Sequence, residues 1–234
     1  MKICIGIISY LPDEEEVRKI RVERLNNLLD KCRYNLPELP ILIVAQNWKG
    51  NEIPVKGNLT VFNYGKLGIT KARDTLRKMF LDTRYDYMIC FDDDFEINKS
   101  PISFSKYIKI LNTVPNAFIE YENYIMNLCA MSRYIAERYP FDESISAEDG
   151  TGFEDWIYVS VIKNSDKEHY YNVRNLNLAT RPRSELVNDK YSTWQNESTH
   201  KEDINQKSSQ IIKEKTLKNM IRNKASLPDK EYIF

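Results

Sequence analysis

The sequence predicts an α/β fold with a mainly parallel central sheet, and three observations lead to this prediction. Apolar runs typical of buried strands lie at residues 2–9, 41–45 and 87–91. Between the first two runs, residues 12–30 carry apolar side chains at helical spacing. Strands that alternate with helices form βαβ units, and the strands of such units run parallel. We therefore expect helices on both faces of the sheet.

The middle of the chain continues this alternation of strands and helices. Thr70 is a candidate N-cap because its hydroxyl can accept a hydrogen bond from the first turn of a helix. Proline favours the first position of a helix, so Ser100-Pro101 predicts another start. The predicted elements are a strand at 59–62, a basic helix from Thr70 to about Leu81, a helix from Ser100 to about Leu111, and a strand pair at 117–121 and 124–131.

The last third of the sequence predicts a loop, a helix and an extension. Residues 142–152 are acidic and contain glycine, which is typical of a loop, and residues 154–163 have the spacing of a helix. We expect that helix to carry Trp156, Val159 and Ile162 towards the core. Residues 1–180 are predicted to form the main domain, and 181–234 a C-terminal loop and lysine-rich helical extension packed on it.

The composition is that of an ordinary globular protein. Any charged partner would have to bind at a local cluster of opposite charge. Lys plus Arg equals Asp plus Glu at 34 each in 234 residues, so no global field favours nucleic acid or an acidic membrane. The apolar start of the chain is too short to span a membrane and has no cleavage site of the signal-peptide type. The four cysteines, Cys4, Cys32, Cys90 and Cys129, lack metal-ligand spacing and are expected to be buried thiols. We expect a cytoplasmic protein without a membrane anchor.

Three consecutive aspartates, Asp92, Asp93 and Asp94, follow the predicted strand at 87–91. Ligands of open α/β sheets bind at the carboxyl ends of such strands. Adjacent carboxylates repel one another unless water or a cation neutralises them, and oxygen ligands suit Mg²⁺ or Mn²⁺. The alternatives are a solvated acidic turn or a structural Ca²⁺ loop, although an EF-hand loop would need a central glycine that is absent here. We favour a metal and substrate site.

Polar residues at the ends of the first two predicted strands can face the same crevice as the aspartates. They are Ser9, Tyr10, Gln46 and Asn47, and the two amides can contact a base edge or simply form turns. The sequence has no P-loop and no Gly-x-Gly-x-x-Gly, so metal and side chains would have to hold a diphosphate. Arg73, early in its helix, opposes the helix dipole, which favours contact with a nucleotide or carboxylate.

Two further acids, Glu154 and Asp155, begin the helix predicted at 154–163. Acids at a helix start are ordinary capping chemistry. Together with the aspartate cluster, however, they gain significance, because group transfer needs a carboxylate base apart from the metal. We therefore consider them candidate catalytic residues.

The ordered set of these motifs resembles the glycosyltransferases with a GT-A fold, especially the family 2 type. The matching segments are Phe91-Asp92-Asp93-Asp94, Phe141-Asp142-Glu143, and Gly152-Phe153-Glu154-Asp155-Trp156. The segment from Gly68 to Asp74 is similar to the family's Gly-x-x-x-x-Ala-Arg-Asn helix start, with Asp74 in place of the usual Asn. The resemblance covers about residues 1–200. It implies a Rossmann-like, mainly parallel sheet and a nucleotide-sugar donor, commonly linked to UDP, for a hexosyltransferase.

The resemblance also implies roles for individual residues. Asp94 would ligate Mn²⁺ or Mg²⁺, Asp92 would contact ribose or metal, and Asp93 would belong to the donor site. Asp155 would deprotonate the acceptor hydroxyl in an inverting transfer, and Glu154 would help to shape the acceptor site. A late His of the family often adds a metal ligand, and His200 lies where such a residue is expected, whereas His169 precedes a strand-like segment. A glycan, a lipid-linked glycan, a protein or a modified nucleobase would be the acceptor.

Two rival functions use similar chemistry. A sugar nucleotidyltransferase also combines an α/β sheet with a divalent metal, but it should carry a Gly-rich N-terminal loop, which the sequence lacks at residues 8–12. A non-catalytic module would use the acidic crevice to bind Ca²⁺ or a basic ligand. Such a module would hydrolyse no nucleotide sugar.

Overall fold

The computed structural model describes residues 1–49, 52, 57–122, 124–142, 154–180 and 210–219. Within these residues the strands are β1 (Ile3–Tyr10), β2 (Ile41–Gln46), β3 (Leu59–Tyr64), β4 (Tyr87–Asp92), β5 (Phe118–Tyr121), β6 (Leu128–Ser132) and β7 (Tyr170–Val173). They form one seven-stranded sheet in the order β3-β2-β1-β4-β6-β5-β7. The strand β6 runs antiparallel to β4 and β5, and the other neighbours are parallel. The predicted mainly parallel sheet is confirmed.

Helices lie between the strands along the chain. They are α1 (Glu15–Asn35), α2 (Ile69–Leu81), α3 (Pro101–Thr113), α4 (Arg133–Arg138) and α5 (Glu154–Ser165), followed by a 3-10 turn at Lys167–His169. Residues 210–219 are also helical and are called the C-terminal helix. None of the helices in the described ranges combines the length and the apolar character needed to cross a membrane.

Side chains that alternate along the strands fill two separate cores, one on each face of the sheet. On β1, Ile5 and Ile7 point to the core shared with α1 and α3, while Cys4 and Ile8 point to the core shared with α2 and α5. Both faces are therefore covered, which explains why the central strands β1, β2 and β4 are apolar along most of their length rather than alternately polar. All four cysteines are buried, as the sequence predicted.

Three local predictions are wrong. The helix α2 begins at Ile69 after Gly68, whose φ is 82°, so Thr70 lies inside the helix and does not cap it. The strand β6 begins at Leu128 rather than near residue 124, because a turn precedes it in which Ile125 has a φ of 52°. Trp156 is 38% exposed and does not enter the core, since it lies on the narrow solvent face of α5.

The C-terminal helix packs against the core formed by α2 and α5. Ile211 and Ile212 contact that core, and Lys215 forms an ion pair with Asp142. Asp142 is the last described residue before Glu154. The remainder of the predicted extension, and the predicted loop from residue 143 onwards, lie outside the described residues.

Candidate active site

The acidic triplet lies at the carboxyl edge of the sheet. Asp92 is the last residue of β4 and pairs in register with Ile8 of β1, so Ser9 and Tyr10 end their strand beside the aspartates. Gln46 ends β2 opposite Tyr10. Parallel strands bring their carboxyl ends to one edge, which is why residues far apart in sequence meet here.

Asp93 joins the ends of the two central strands. Its Oδ2 accepts hydrogen bonds from the hydroxyl of Ser9 at 2.7 Å and from the backbone N–H of Tyr10 at 3.2 Å. Its Oδ1 lies 2.8 Å from Nη2 of Arg21 on α1. Burial raises the pKa of Asp93, while the Arg21 charge opposes that rise. These contacts use both carboxylate oxygens inside the protein.

The two carboxylate oxygens of Asp92 differ in their hydrogen bonding. Its Oδ2 accepts hydrogen bonds from Arg73 Nη2 at 3.2 Å and from Asn127 Nδ2 at 2.8 Å. Its Oδ1 is buried and finds no hydrogen-bond partner among the described residues. Burial raises the pKa of Asp92 to about 7, the Arg73 charge lowers it, and repulsion from Asp94 and Asp155 raises it further. A buried carboxylate oxygen without a partner is costly, and a cation would remove that cost.

Glu154 and Asp155 approach this cluster from the first turn of α5, and both are buried. Arg73 Nε lies 3.2 Å from Glu154 Oε1, so this guanidinium bridges Glu154 and Asp92. Within the ranges that the structure describes, the second oxygen of Glu154 is buried and has no hydrogen-bond partner. Burial and repulsion from Asp155 raise the pKa of Glu154 to about 7 despite Arg73. Asp155 Oδ1 accepts a hydrogen bond of 2.6 Å from the backbone N–H of Trp156.

Asp94 is the most open carboxylate of the triplet, with 19% of its side chain exposed. Its Oδ2 lies 3.4 Å from Nη1 of Arg21, which is longer than the contact of Arg21 with Asp93. Each outer aspartate therefore has an arginine beside it, Arg73 from α2 at Asp92 and Arg21 from α1 at Asp94. The two helices lie on opposite faces of the sheet.

The residues of this cluster fit a hard divalent cation such as Mn²⁺ or Mg²⁺. Their donor atoms are carboxylate oxygens, and the described residues give no hydrogen-bond partner to one buried oxygen each of Asp92 and Glu154. In the described part of the chain, no group of three or more His, Cys, Asp and Glu residues is already arranged to hold a metal. Mg²⁺ and similar ions commonly take one or two protein carboxylates and complete their shell with water and substrate phosphates.

The predicted amide residues hydrogen bond within the protein. Gln46 is buried and its Oε1 accepts a hydrogen bond from the N–H of Leu67 at 2.9 Å. Asn47 has a φ of 58° and donates to the carbonyl of Leu11 at 2.8 Å and to Asp13 at 3.1 Å. Both side chains thus hold the loops that border the crevice.

Of the two histidines, the described one, His169, pairs with Asp166 rather than with the acidic triplet. Its Nδ1 lies 2.6 Å from Asp166 Oδ1, and its ring packs at a tilt of 39° against Tyr134, with centroids 4.6 Å apart. His200 lies outside the described residues.

Sequence reasoning missed two residues of the cluster, Arg21 and Asn127. Arg21 had a detectable signal, because it lies four residues before Leu25 on the apolar stripe of α1, where a charged residue needs a buried partner. Asn127 had no signal, since the turn that brings it to Asp92 precedes β6 and depends on the tertiary structure.

No protein-family model matches the sequence, and a comparison with curated proteins finds no significant match. Solved structures do match. Residues 1–349 of TarS from S. aureus give a TM-score of 0.55 at 11% identity over 94% of this chain and 71% of that one. A mannosyltransferase from Pyrobaculum calidifontis, in complex with GDP-Man and Mn²⁺, gives 0.53 at 11% identity, covering 97% of this chain and 76% of that one. The mannosyl-3-phosphoglycerate synthase of Rubrobacter xylanophilus gives 0.52 at 10% identity, covering 100% and 78%.

The chain has the GT-A fold of glycosyltransferases. The GT-A fold accounts for the mostly parallel sheet with helices on both faces. Against the longer TarS structure, the match covers 80% of this chain and only 38% of that one. At these identities the matches establish the fold alone.

Proposed function

We propose that the protein is a metal-dependent inverting glycosyltransferase that moves a sugar from a nucleotide-diphosphate donor to an acceptor hydroxyl. One observation carries the proposal. In a GT-A fold, Arg73 joins Asp92 at the end of β4 to Glu154, the first of the two acids that begin α5, and buried oxygens of both carboxylates have no hydrogen-bond partner in the described part of the chain. Group transfer at a diphosphate needs both a site for a cation and a separate carboxylate base.

The donor side of the proposed site is the edge formed by β1, β2 and β4. Asp92 and Asp94 would hold Mn²⁺ or Mg²⁺, which when bound stabilises the charge that develops on the departing diphosphate. Ser9 and Tyr10 are held beside the triplet through Asp93. Gln46 and Asn47 border the crevice, and we propose them and Arg73 as donor-site residues. His200 is retained as a candidate third metal ligand.

The acceptor side of the proposed site is the first turn of α5. Asp155 would accept the proton of the acceptor hydroxyl as that oxygen attacks the sugar carbon. Glu154 would shape the acceptor site, because Arg73 fixes one of its oxygens at 3.2 Å. Base catalysis of this kind contributes roughly 10² to 10⁴ in rate. UDP is the nucleotide that we propose for the donor.

A thermal-shift panel tests the donor and the metal together. UDP, GDP and their sugars are added to the intact protein with and without Mn²⁺, because a ligand that binds only the native state raises its melting temperature. At 100 times its Kd a ligand stabilises by about 2.7 kcal/mol. We expect stabilisation by UDP or a UDP-sugar that depends on the metal and is lost in Asp94→Ala.

Asp30→Ala is the matched control, since Asp30 is an exposed aspartate on α1 whose recorded ion pair is with Arg33. It should respond to UDP and Mn²⁺ as the wild type does. Stabilisation by UDP that is unchanged in Asp94→Ala, or that needs no metal, would contradict the proposal. Preferential stabilisation by nucleoside triphosphates, with no response to nucleotide sugars, would favour a sugar nucleotidyltransferase instead.

A further inference from the structure

Arg21 occupies a buried position that the pattern of α1 reserves for an apolar side chain. The buried residues that follow it on the helix include Leu25, Leu28, Leu29 and Cys32. Arg21 itself is 5% exposed. Burying a guanidinium costs free energy unless carboxylates compensate its charge, and here both Asp93 and Asp94 do so.

The two ion pairs of Arg21 differ in length and in exposure to solvent. The contact with Asp93 is 2.8 Å long and both side chains are almost fully buried, at 6% and 4% exposed. The contact with Asp94 is 3.4 Å long, and Asp94 is 19% exposed. The oxygens of Asp93 are also held by Ser9 and Tyr10. Arg21 is thus anchored through Asp93, and the contact with Asp94 is the one that can be exchanged.

The placement of the arginines explains why the described carboxylates are not already gathered around a metal position. Arg73 draws Asp92 towards α2, and Arg21 draws Asp94 towards α1. A cation bound by Asp94 would lie near the fixed positive charge of Arg21. Like charges close together repel, whereas the negative charges of a diphosphate would offset that repulsion.

We propose that Arg21 is an internal counter-ion that competes with a divalent cation for Asp94, so that the protein binds the metal weakly alone and strongly together with a nucleotide diphosphate. This inference rests on the proposed function and deepens it, because it adds a positioning residue that makes metal binding depend on the nucleotide. Arg21 acts through Asp94 and needs no contact with substrate.

The test measures Mn²⁺ binding to the intact protein from the amplitude of the free-ion signal in electron paramagnetic resonance. Titrations are run without nucleotide and with saturating UDP. For Arg21→Gln we expect the Kd for Mn²⁺ alone to fall about tenfold, since one positive charge beside the ligand is removed. The gain should be smaller in the presence of UDP. Arg21→Lys retains the charge and should bind Mn²⁺ as the wild type does.

Arg18→Gln is the matched control. Arg18 lies one turn earlier on the same face of α1, is 8% exposed, and pairs with Glu52 rather than with the triplet. Its replacement should lower stability without changing the Kd for Mn²⁺. If Arg21→Gln alone does not fold, the double variant Arg21→Gln/Asp93→Asn removes both charges of the buried pair. It should bind Mn²⁺ alone more tightly than Asp93→Asn, which differs from it only at Arg21.

The inference would be overturned if the affinity for Mn²⁺ were unchanged or weaker in Arg21→Gln relative to the wild type, or in the double variant relative to Asp93→Asn, because Arg21 would then support Asp94 rather than compete for it. A Kd that falls equally in Arg18→Gln would also overturn it. Absence of Mn²⁺ binding with UDP in the wild type and in every variant is a distinct result, which would overturn the proposed metal site and the inference with it.

Discussion

Arg73 is the residue on which both halves of the candidate site depend. It contacts Asp92 at the end of β4 and Glu154 at the start of α5, each at 3.2 Å. Burial alone would lower the pKa of Arg73, but the charges of Asp92 and Glu154 raise it above its ordinary value, so it stays charged. When both are ionised, the carboxylates of Asp92 and Glu154 carry more negative charge than the single guanidinium of Arg73 can neutralise. This local excess of negative charge is the physical reason to expect a cation here.

Asp155→Asn tests the division of roles between the two acids of α5. The amide keeps the shape of the side chain and its capability to accept a hydrogen bond from Trp156, but it is no base. We expect the turnover of a nucleotide sugar to fall by roughly 10² to 10⁴. The melting-temperature rise with UDP and Mn²⁺ should stay close to that of the wild type.

Glu154→Gln is the companion variant, because Gln can still accept the hydrogen bond from Arg73. It should affect the KM for the acceptor more than kcat. Near wild-type turnover in Asp155→Asn, with turnover abolished in Glu154→Gln, would assign the base to Glu154 instead.

At the scale of elements, α2 couples the site to the rest of the protein through two consecutive residues. Arg73 faces the carboxylates, and Asp74 faces the segment before α5, where its Oδ1 accepts a hydrogen bond from the N–H of Phe141 at 3.2 Å. The ring of Phe141 stacks on Tyr158 of α5, with centroids 3.9 Å apart. Asp74 also pairs with Arg77 at 2.6 Å. The GT-A glycosyltransferases that the sequence resembles have Asn at this position. Here the Asp74 carboxylate links α2 to α5 through Phe141.

Asp74→Asn should lower the free energy of unfolding near neutral pH by about 1 to 3 kcal/mol, because hydrogen bonds to a charged group are lost. Burial raises the pKa of Asp74, but hydrogen bonds from Arg77 and Lys78 outweigh burial and hold the pKa below its ordinary value of 3.8. The stability that this lowered pKa supplies is complete above the unfolded-state value and disappears as pH falls through the folded-state value.

Urea unfolding across a pH series checks this expectation. The difference in unfolding free energy between the wild type and Asp74→Asn should be largest near neutral pH and should shrink below about pH 4. A difference that stays constant down to acid pH would show that the charge of Asp74 contributes nothing to stability.

At the scale of the whole molecule, the sheet separates the two cores. Little space remains beside β1 on the face that α2 covers. Gly6 is central in β1, and a Cβ built there would lie 2.9 Å from Cγ of Met88 and 3.1 Å from Cδ2 of Leu76 on α2, with Sδ of Met88 closer still. Met88 on the neighbouring strand β4 and Leu76 on α2 thus fill the space that a side chain at position 6 would need.

Gly6→Ala should destabilise the protein by about 1 to 3 kcal/mol, since it overpacks a filled core. Each kcal/mol corresponds to a fall in melting temperature of roughly 2 to 4 °C for a chain of this size. Gly65→Ala is the control, because a Cβ at Gly65 would have no neighbour within 4 Å. A melting temperature for Gly6→Ala equal to that of Gly65→Ala would contradict the packing argument.

Local signals determined much of the fold and of the position of the candidate site. Continuous apolar runs identified the buried strands, and the triplet after residue 91 identified the acidic edge, because both signals are contained in a few neighbouring residues. Predictions failed where the backbone conformation or the packing of a helix determined the position of a residue. The positive φ of Gly68 and Ile125 shifted the starts of α2 and β6, and the solvent face of α5 took Trp156 although the residue type suggested the core.

By itself the sequence determined that strands and helices alternate, that carboxylates follow the central strand, and that two more acids begin a later helix. Only the tertiary structure decided which of these groups meet. In the tertiary structure Asp93 contacts Ser9 and Arg21, and Asp92 contacts Arg73. One buried oxygen each of Asp92 and Glu154 has no hydrogen-bond partner in the part of the chain that the structure describes. The physical reason is that pairing between buried charges depends on which helix packs on which face of the sheet, and contacts between residues tens of positions apart leave no local pattern.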